Sequence, residues 1–441
     1  MDSLDNNLRY GLDDSLPLGE LVLHALQHLA YFLANAAILP VVVGSYLGLT
    51  QPELASLLQR TFIFCGIVSI LQAVWGHRFA VMEGPAGLWY GVLIMLATSA
   101  DAMDKSLAVL RTDIEMGFIV AGIVCIVLGA TGMVSRVLAL FSPIVNGVFF
   151  SLMALQLSPN IVSGMFGLTS NGGVVSWKSF TVFSFTTVLI LTINIKSKGF
   201  LQSLSILIGA GCGWGLAFAL GIAPKLNSHV GALSVAPDLF AWGTPTFDLG
   251  IVITFVFAAI ILFSNLIATI KGMSVVTGER VRGRTYDRAA LMTGVSDILA
   301  GIGAIIGFIP YGSAVGMTLM TGVASRKPFV LGSLLLIGLG LVPPICAFFV
   351  AIPATVGNSV MFVVFCLILS LGIKEFNKVN MGTREMYIIG MSLLIGVGMM
   401  QMPHDAFSMI PSVVRNLLAN GLVIGVVLAM VLENLMRSPV E

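Results

Sequence analysis

Two long apolar stretches of this chain are each interrupted near the middle by residues that cannot continue a helix. The first interruption reads Met82-Glu83-Gly84-Pro85-Ala86-Gly87. The second reads Ile309-Pro310-Tyr311-Gly312-Ser313-Ala314-Val315-Gly316. A bilayer offers no water to a freed backbone N–H or C=O, so broken backbone at that depth must be buried in protein or line a cavity. A pair of such breaks at corresponding places in two halves of a chain marks the binding site of a membrane carrier.

Composition makes the membrane reading firm. Of 441 residues, 57% are hydrophobic and 10% are charged, against about 25% charged in an ordinary soluble domain. The net charge of +1 creates no field that would favour nucleic acid. The five cysteines all lie in apolar runs and none forms a CxxC, so they are expected to be small buried hydrophobes. The polar, acidic stretch 1–17 has no basic segment of the signal-peptide kind and is expected to be a cytoplasmic tail. The sequence ends a few residues after the last apolar run, and no regulatory or enzymatic domain is expected there.

Counting runs of about 20 apolar residues yields fourteen spans. They lie at 18–44, 52–75, 79–99, 116–133, 137–157, 179–195, 200–222, 247–271, 288–308, 310–324, 329–350, 354–373, 385–401 and 412–434. With the N-terminus inside, 16 Lys and Arg residues fall in inside loops and 5 in outside loops, with Arg60 left within a span. That bias supports cytoplasmic termini and an even number of spans. The basic segment from Lys271 to Arg288 reads as a topology anchor at the cytoplasmic face, or as a lipid-headgroup contact.

A repeat underlies the spans. Ser142-Pro143-Ile144-Val145-Asn146-Gly147 heads the fifth and Ile352-Pro353-Ala354-Thr355-Val356-Gly357 the twelfth. Both contain Pro-x-x-x-Gly, and the broken spans, third and tenth, share the same offset of seven. Seven is odd, so the second copy enters the membrane from the opposite side, as in an inverted-topology repeat.

These residues resemble a known family. Leu26-Gln27-His28-Leu29 running to Ala37-Ile38-Leu39-Pro40 is similar to the first-span Gln-His motif of the nucleobase–ascorbate transporters, the group of uracil, xanthine and uric acid permeases. Thr293-Gly294-Val295-Ser296-Asp297-Ile298-Leu299-Ala300-Gly301 resembles their ninth span. Tyr311 to Gly316 followed by Leu319-Met320-Thr321-Gly322-Val323-Ala324-Ser325-Arg326 resembles their tenth. The Pro-x-x-x-Gly pair and Asn420-Gly421 also fit, and the resemblance covers essentially the whole chain.

It implies an all-α polytopic protein of two inverted seven-span repeats, with short strands in spans 3 and 10. A core domain would comprise 18–133 (spans 1–4) and 246–350 (spans 8–11). A gate domain would comprise 134–223 (spans 5–7) and 351–435 (spans 12–14). It further implies a secondary active transporter in the cytoplasmic (inner) membrane, importing a purine or pyrimidine base by an elevator-type movement. Proton coupling, no cofactor, contact with membrane lipid and a homodimer through the gate domain complete the expectation.

A nucleobase is a planar, neutral ring that needs hydrogen-bonding groups along its edge and an apolar slot for its faces. The expected substrate residues are Glu83, Gly84, Ala86, Asn265, Tyr311, Gly312, Ser313 and Ala314. Gln27, His28, Trp89, Thr269 and Asp297 are expected in supporting or coupling roles. The chain departs from the family twice: Asn265 stands where the eighth span usually has a carboxylate, and Ser313 where the tenth usually has Glu or Gln. Asn can donate and accept through its amide but takes up no proton.

Glu83 is then the conspicuous mid-span acid, and an ionisable residue at that depth is a functional hypothesis by default. It is expected across the pseudo-two-fold from Ser313, binding substrate, proton or both; the alternative is a salt bridge to Arg78. Trp89 and Tyr90 offer either a stacking face or ordinary packing. Asp297 reads as a structural partner of backbone or Thr293, with coupling as the second reading, and His28 as a hydrogen-bonding residue behind the site. His24 and His28 have i, i+4 spacing but no third metal ligand nearby. Other readings are an anion transporter of the same fold, for which neither break supplies Lys or Arg, an uncoupled facilitator, and an intramembrane enzyme, for which no catalytic dyad is present.

Overall fold

The computed structural model describes residues 8–100, 103–134, 136, 142–168, 173–198, 200–223, 237–402 and 421–436. Among them the chain is helical apart from two three-residue strands. The first half holds α1 (Leu18–Ala36), α2 (Leu39–Tyr46), α3 (Gln51–Val74), β1 (Glu83–Pro85), α4 (Gly87–Thr98), α5 (Leu107–Thr131), α6 (Pro143–Met165), α7 (Trp177–Lys196), α8 (Phe200–Ser203) and α9 (Ser205–Ala219). The second holds α10 (Leu249–Thr277), α11 (Gly283–Ile302), β2 (Phe308–Pro310), α12 (Ser313–Thr321), α13 (Arg326–Gly340), α14 (Pro343–Val350), α15 (Ala354–Phe376), α16 (Thr383–Met400) and α17 (Gly421–Leu435). Seven helical stretches are long and apolar enough to cross a membrane, counting α1 with α2 as one. The protein is therefore an integral membrane protein. Residues 412–420 of the expected last span lie outside the described residues.

Two spans expected to be continuous are broken. The first divides into α1 and α2, with Pro40 in the opening turn of α2. The eleventh bends by 83° between α13 and α14, where Pro343 and Pro344 open the second piece. Proline has no N–H and is tolerated in a first turn, so it starts a new helix more readily than it continues an old one.

The packing sorts the helices. α5 lies along α11 and α10, and α13 along α1 and α3; α15 lies along α6 and α7, and α16 along α17. At the α5–α11 seam a Cβ on either Gly122 or Gly294 would stand 2.5 Å from the other's carbonyl oxygen. Only glycine permits that approach, and small residues are what bring helices together in lipid, where no hydrophobic drive separates helix from solvent. Not all cysteines are buried as expected: Cys65, Cys125 and Cys346 are, whereas Cys212 and Cys366 are exposed on the helix surface.

Arg60, inside α3 and 2% exposed, is tied to the opposite half of the chain. Its Nε donates to Gly303 O at 2.7 Å, Nη2 to Ala304 O at 3.2 Å and Nη1 to Ser56 Oγ at 2.6 Å. It thus caps the C-terminal end of α11, where carbonyls lack partners and the helix dipole favours a cation. The cap holds the turn that leads into β2. At one membrane face Lys105 bridges Asp113 and Asp248, the latter at 2.9 Å. At the other, the tail packs on the end of α12: Arg9 N and Tyr10 N donate to Gly322 O, Ala324 N donates to Tyr10 O, and Arg326 pairs with Asp13.

Candidate functional site: the β1–β2 ribbon and the α12 half-helix

The two breaks meet. β1 and β2 pair antiparallel in the register Glu83↔Pro310, Gly84↔Ile309 and Pro85↔Phe308. Bonds from Ala86 N to Gly307 O (3.1 Å) and from Tyr311 N to Met82 O (2.9 Å) flank the ribbon. Because hydrogen-bonded and non-hydrogen-bonded pairs alternate, Gly84–Ile309 exchanges the central bonds. Pro85 and Pro310 both fall at positions where no ladder N–H is needed, so two prolines fit in a two-stranded sheet.

The outward-pointing groups are satisfied by side chains, as burial away from water requires. Glu83 N donates to Ser69 Oγ at 3.0 Å, and Glu83 O accepts from Cys65 Sγ at 2.9 Å. Pro310 O accepts from Asn265 Nδ2 at 3.0 Å, and Pro85 O from the Tyr311 hydroxyl at 2.6 Å. The substitution of the family's acid by Asn265 thus has a physical reading: an amide donates to a ribbon carbonyl, which an ionised carboxylate cannot do. Gly84 is required because the Tyr311 ring lies across it; a Cβ there would come within 2.9 Å of that ring.

One edge of this arrangement is open. Gly312, Ser313 and Gly316 are exposed, as are Leu319 and Met320 one turn on, while Ala314 and Met317 are buried. These exposed positions make one helical face leading from the ribbon to the end of α12 on which the tail packs. No described hydrogen bond engages the amides of Gly312 or Ser313, which leaves donors and the positive end of a helix dipole pointing at the opening. The Ser313 hydroxyl lies 2.5 Å from the hydroxyl of Tyr31 on α1, and either can donate. The Tyr31 and Tyr311 rings meet edge to face with centroids 6.4 Å apart. Thr269 of α10 is buried beneath Gly312, its Oγ1 standing 3.5 Å from where a Cβ would be. Donors, an acceptor-capable hydroxyl pair and aromatic surface therefore converge without a formal charge.

Several expected residues sit elsewhere or act differently. About the centre of the ribbon, at Gly84–Ile309, the local two-fold carries Pro85 onto Pro310, Ala86 onto Tyr311, Gly87 onto Gly312 and Leu88 onto Ser313. The counterpart of Ser313 is Leu88, not Glu83; Glu83 falls on Phe308. Side chains alternate along a strand, so the Glu83 carboxyl points to the face opposite Gly84 and Tyr311. Its partner is not Arg78, which is exposed, but His77, with Nε2 3.2 Å from Oε1 and both side chains 1% exposed. The Ala86 amide is consumed by the ladder and is closed to a ligand.

Trp89 is fully buried, stacked on Phe255 at 5.1 Å and edge-on to Phe118 at 4.8 Å, so it packs the ribbon's back rather than offering a face to substrate. Tyr90 is likewise fully buried. Asp297 meets Cys125 Sγ at 3.9 Å, not Thr293, whose hydroxyl accepts from Gln72 Nε2 and donates to Ala289 O. Gln27 bonds His24 Nδ1 at 3.0 Å, within α1 itself. His28 packs edge-on against Phe329 at 5.3 Å, and its Nδ1 meets no partner. Tyr31 and His77 were not among the expected residues. Tyr31 carries a helical signal, three residues beyond His28 on the same face; His77 carries none, because its partner is chosen by a loop.

A half-helix that starts at a ribbon joining two broken apolar spans, among packed apolar helices, fits a membrane carrier. The Permease family profile (Xan_ur_permease) matches residues 19–405, and the chain belongs to this family. Among similar proteins, YwdJ of Bacillus subtilis is 33% identical over 93% of this chain and 94% of its own length. The xanthine permease of Bacillus subtilis is 26% identical over 97% and 94%, and the uric acid transporter UacT of Escherichia coli is 27% identical over 96% and 87%. The fold is similar to that of the transmembrane domain of the cyanobacterial bicarbonate transporter BicA, with a TM-score of 0.58 at 15% identity, covering 91% of this chain and 97% of that one. It is also similar to the murine anion transporter Slc26a9, with a TM-score of 0.64 at 12% identity over 97% and 70%.

Proposed function

We propose that this protein imports a purine base of the xanthine or uric acid class across the cytoplasmic membrane, coupled to protons. Nucleobase transport follows from the family. The purine class is supported by the xanthine permease and uric acid transporter among the relatives. The observation that carries the reading is the uncharged open edge formed by the free amides at Gly312 and Ser313, the Tyr31–Ser313 hydroxyl pair and Asn265. A neutral planar amide ring finds donors and acceptors there. An anion would want a fixed cation, and neither break, 82–87 or 309–316, holds a Lys or Arg, which argues against the anion-transport reading that the fold alone would allow.

The architecture supporting this is fourteen spans in two inverted repeats. Span 1 is α1 with α2, span 3 is β1 with α4, span 7 is α8 with α9, span 10 is β2 with α12 and span 11 is α13 with α14; the other long helices each make one. α1–α5 with α10–α14 form the core, and α6–α9 with α15–α17 form the gate, in keeping with the packing partners above. The open face of α12 leads to the tail side, and the positive-inside bias makes that side cytoplasmic, so this state faces inward. Gly357 of α15 packs directly on Val42 of α2, where core meets gate. A homodimer through the gate is part of the same reading.

Uptake of radiolabelled xanthine into cells lacking their own permeases tests the proposal, with uric acid, hypoxanthine and uracil as competitors. Saturable uptake competed by purines and collapsed by a protonophore is expected. Uptake indifferent to the protonophore would favour the uncoupled facilitator, which the neutral residues Asn265 and Ser313 make the second reading.

A further inference from the structure

We infer that His77 and Glu83 form the proton site of this carrier, on the face of the ribbon turned away from the substrate edge. The inference rests on the transport reading above and deepens it by separating the two sites. Glu83 and Tyr311 lie on opposite faces because side chains alternate along β1 and the Tyr311 ring covers Gly84. The carboxyl therefore lies on the face of the ribbon opposite the one the Tyr311 ring covers.

The dyad has a defined protonation pattern. Phe79 N donates to His77 Nδ1 at 3.0 Å, so Nδ1 carries a lone pair and the ring proton sits on Nε2. Nε2–H then donates to Glu83 Oε1 at 3.2 Å. The imidazole is held as a neutral donor, and the carboxyl is the group left to take up and release a proton. The titratable groups packed around it are Cys65 of α3, whose thiol donates to the Glu83 carbonyl, and Asp297 of α11, with Tyr311 across the ribbon on its other face. Among the described residues its one ion-pair partner is His77, so no fixed cation holds it ionised.

Access and coupling follow from position. His77 lies in the turn after α3, between exposed Trp75 and exposed Arg78, and so links the buried carboxyl to the tail-side surface. Glu83 is also a residue of β1, whose ladder to β2 leads directly into Tyr311 and the Gly312–Ser313 turn. Neutralising the carboxyl changes the charge on one face of a ribbon whose other face orders the substrate edge.

The test uses purified full-length protein in proteoliposomes given radiolabelled xanthine outside, preloaded with unlabelled xanthine for counterflow or with a pH-sensitive dye alone for proton movement. Wild type is expected to show xanthine counterflow and xanthine-driven proton movement. Glu83→Gln should lose the proton movement and the accumulation driven by a pH gradient, while counterflow falls by no more than about threefold. His77→Gln, which keeps a side-chain donor, should retain coupling, and His77→Leu should lose it. Independently of any variant, calorimetry of xanthine binding to the wild type in buffers of different ionisation enthalpy should report about one proton taken up per base. Loss of counterflow together with proton movement in Glu83→Gln, while xanthine-dependent thermal stabilisation persists, would overturn the inference. So would persistence of proton movement in that variant, or no proton uptake on binding to wild type. Absence of counterflow in wild type would instead sink the transport reading itself.

Discussion

At the scale of single residues, the open edge is assembled from weak neutral groups, each of which can be tested alone. The Tyr31 and Ser313 hydroxyls are 2.5 Å apart and fix one another's orientation for a ligand. A hydrogen bond of this kind contributes about 0.5–1.5 kcal/mol. Tyr31→Phe and Ser313→Ala should each raise the KM for xanthine by about 3- to 10-fold, and the double variant should do little more than either, since both remove the same pair. Fully additive effects in uptake kinetics would mean the hydroxyls act separately. Arg60 belongs to this scale as well. Arg60→Met leaves the Gly303 and Ala304 carbonyls without their donor, and a buried unsatisfied group costs about 1–3 kcal/mol. The thermal midpoint in detergent should drop by several degrees, with the remaining folded protein still binding base.

At the scale of elements, the ribbon and α12 make opposite demands on small residues. Gly84→Ala drives a Cβ into the Tyr311 ring, and overpacking of that kind costs about 1–3 kcal/mol; thermal stability and uptake should fall together. At Gly316 a Cβ would meet nothing within 4 Å. Gly316→Phe should therefore melt close to wild type, since substitutions facing open space change stability by about 0.5 kcal/mol or less, yet uptake should be lost because the ring projects onto the path from the ribbon to the tail side. Wild-type uptake in Gly316→Phe would mean that the open face of α12 is not the route. The breaks at the ribbon were legible because proline and glycine act locally. The break between α1 and α2 was not read, because Pro40 within an apolar run is equally compatible with a kinked continuous helix. The bend at Pro343 was missed for the same reason.

At the scale of the whole molecule, the elevator reading requires α2 and α15 to slide past one another. The Val42 Cβ stands 3.7 Å from a Cβ built on Gly357, within the 3.5–4.5 Å that disulfides span. Val42→Cys with Gly357→Cys, oxidised, should abolish uptake and regain it on reduction, while base binding measured by thermal shift survives. Full uptake by the crosslinked protein would rule out relative movement at this seam.

Hydropathy, the charge bias of the loops and the two Pro/Gly interruptions determined the membrane class and the positions of the half-helices, because each depends on residues next to one another in the chain. Partner choice was decided only by the folded molecule. Glu83 meets His77 rather than Arg78, since a left-handed turn at Arg78 (φ 65°) sends one side chain inward and its neighbour out. Asn265 holds Pro310, Tyr31 meets Ser313 and Arg60 caps α11, all across spans far apart in sequence. Which residues of the ribbon face each other across the two strands also follows from strand register, a property of the pair of strands that neither strand's sequence contains by itself.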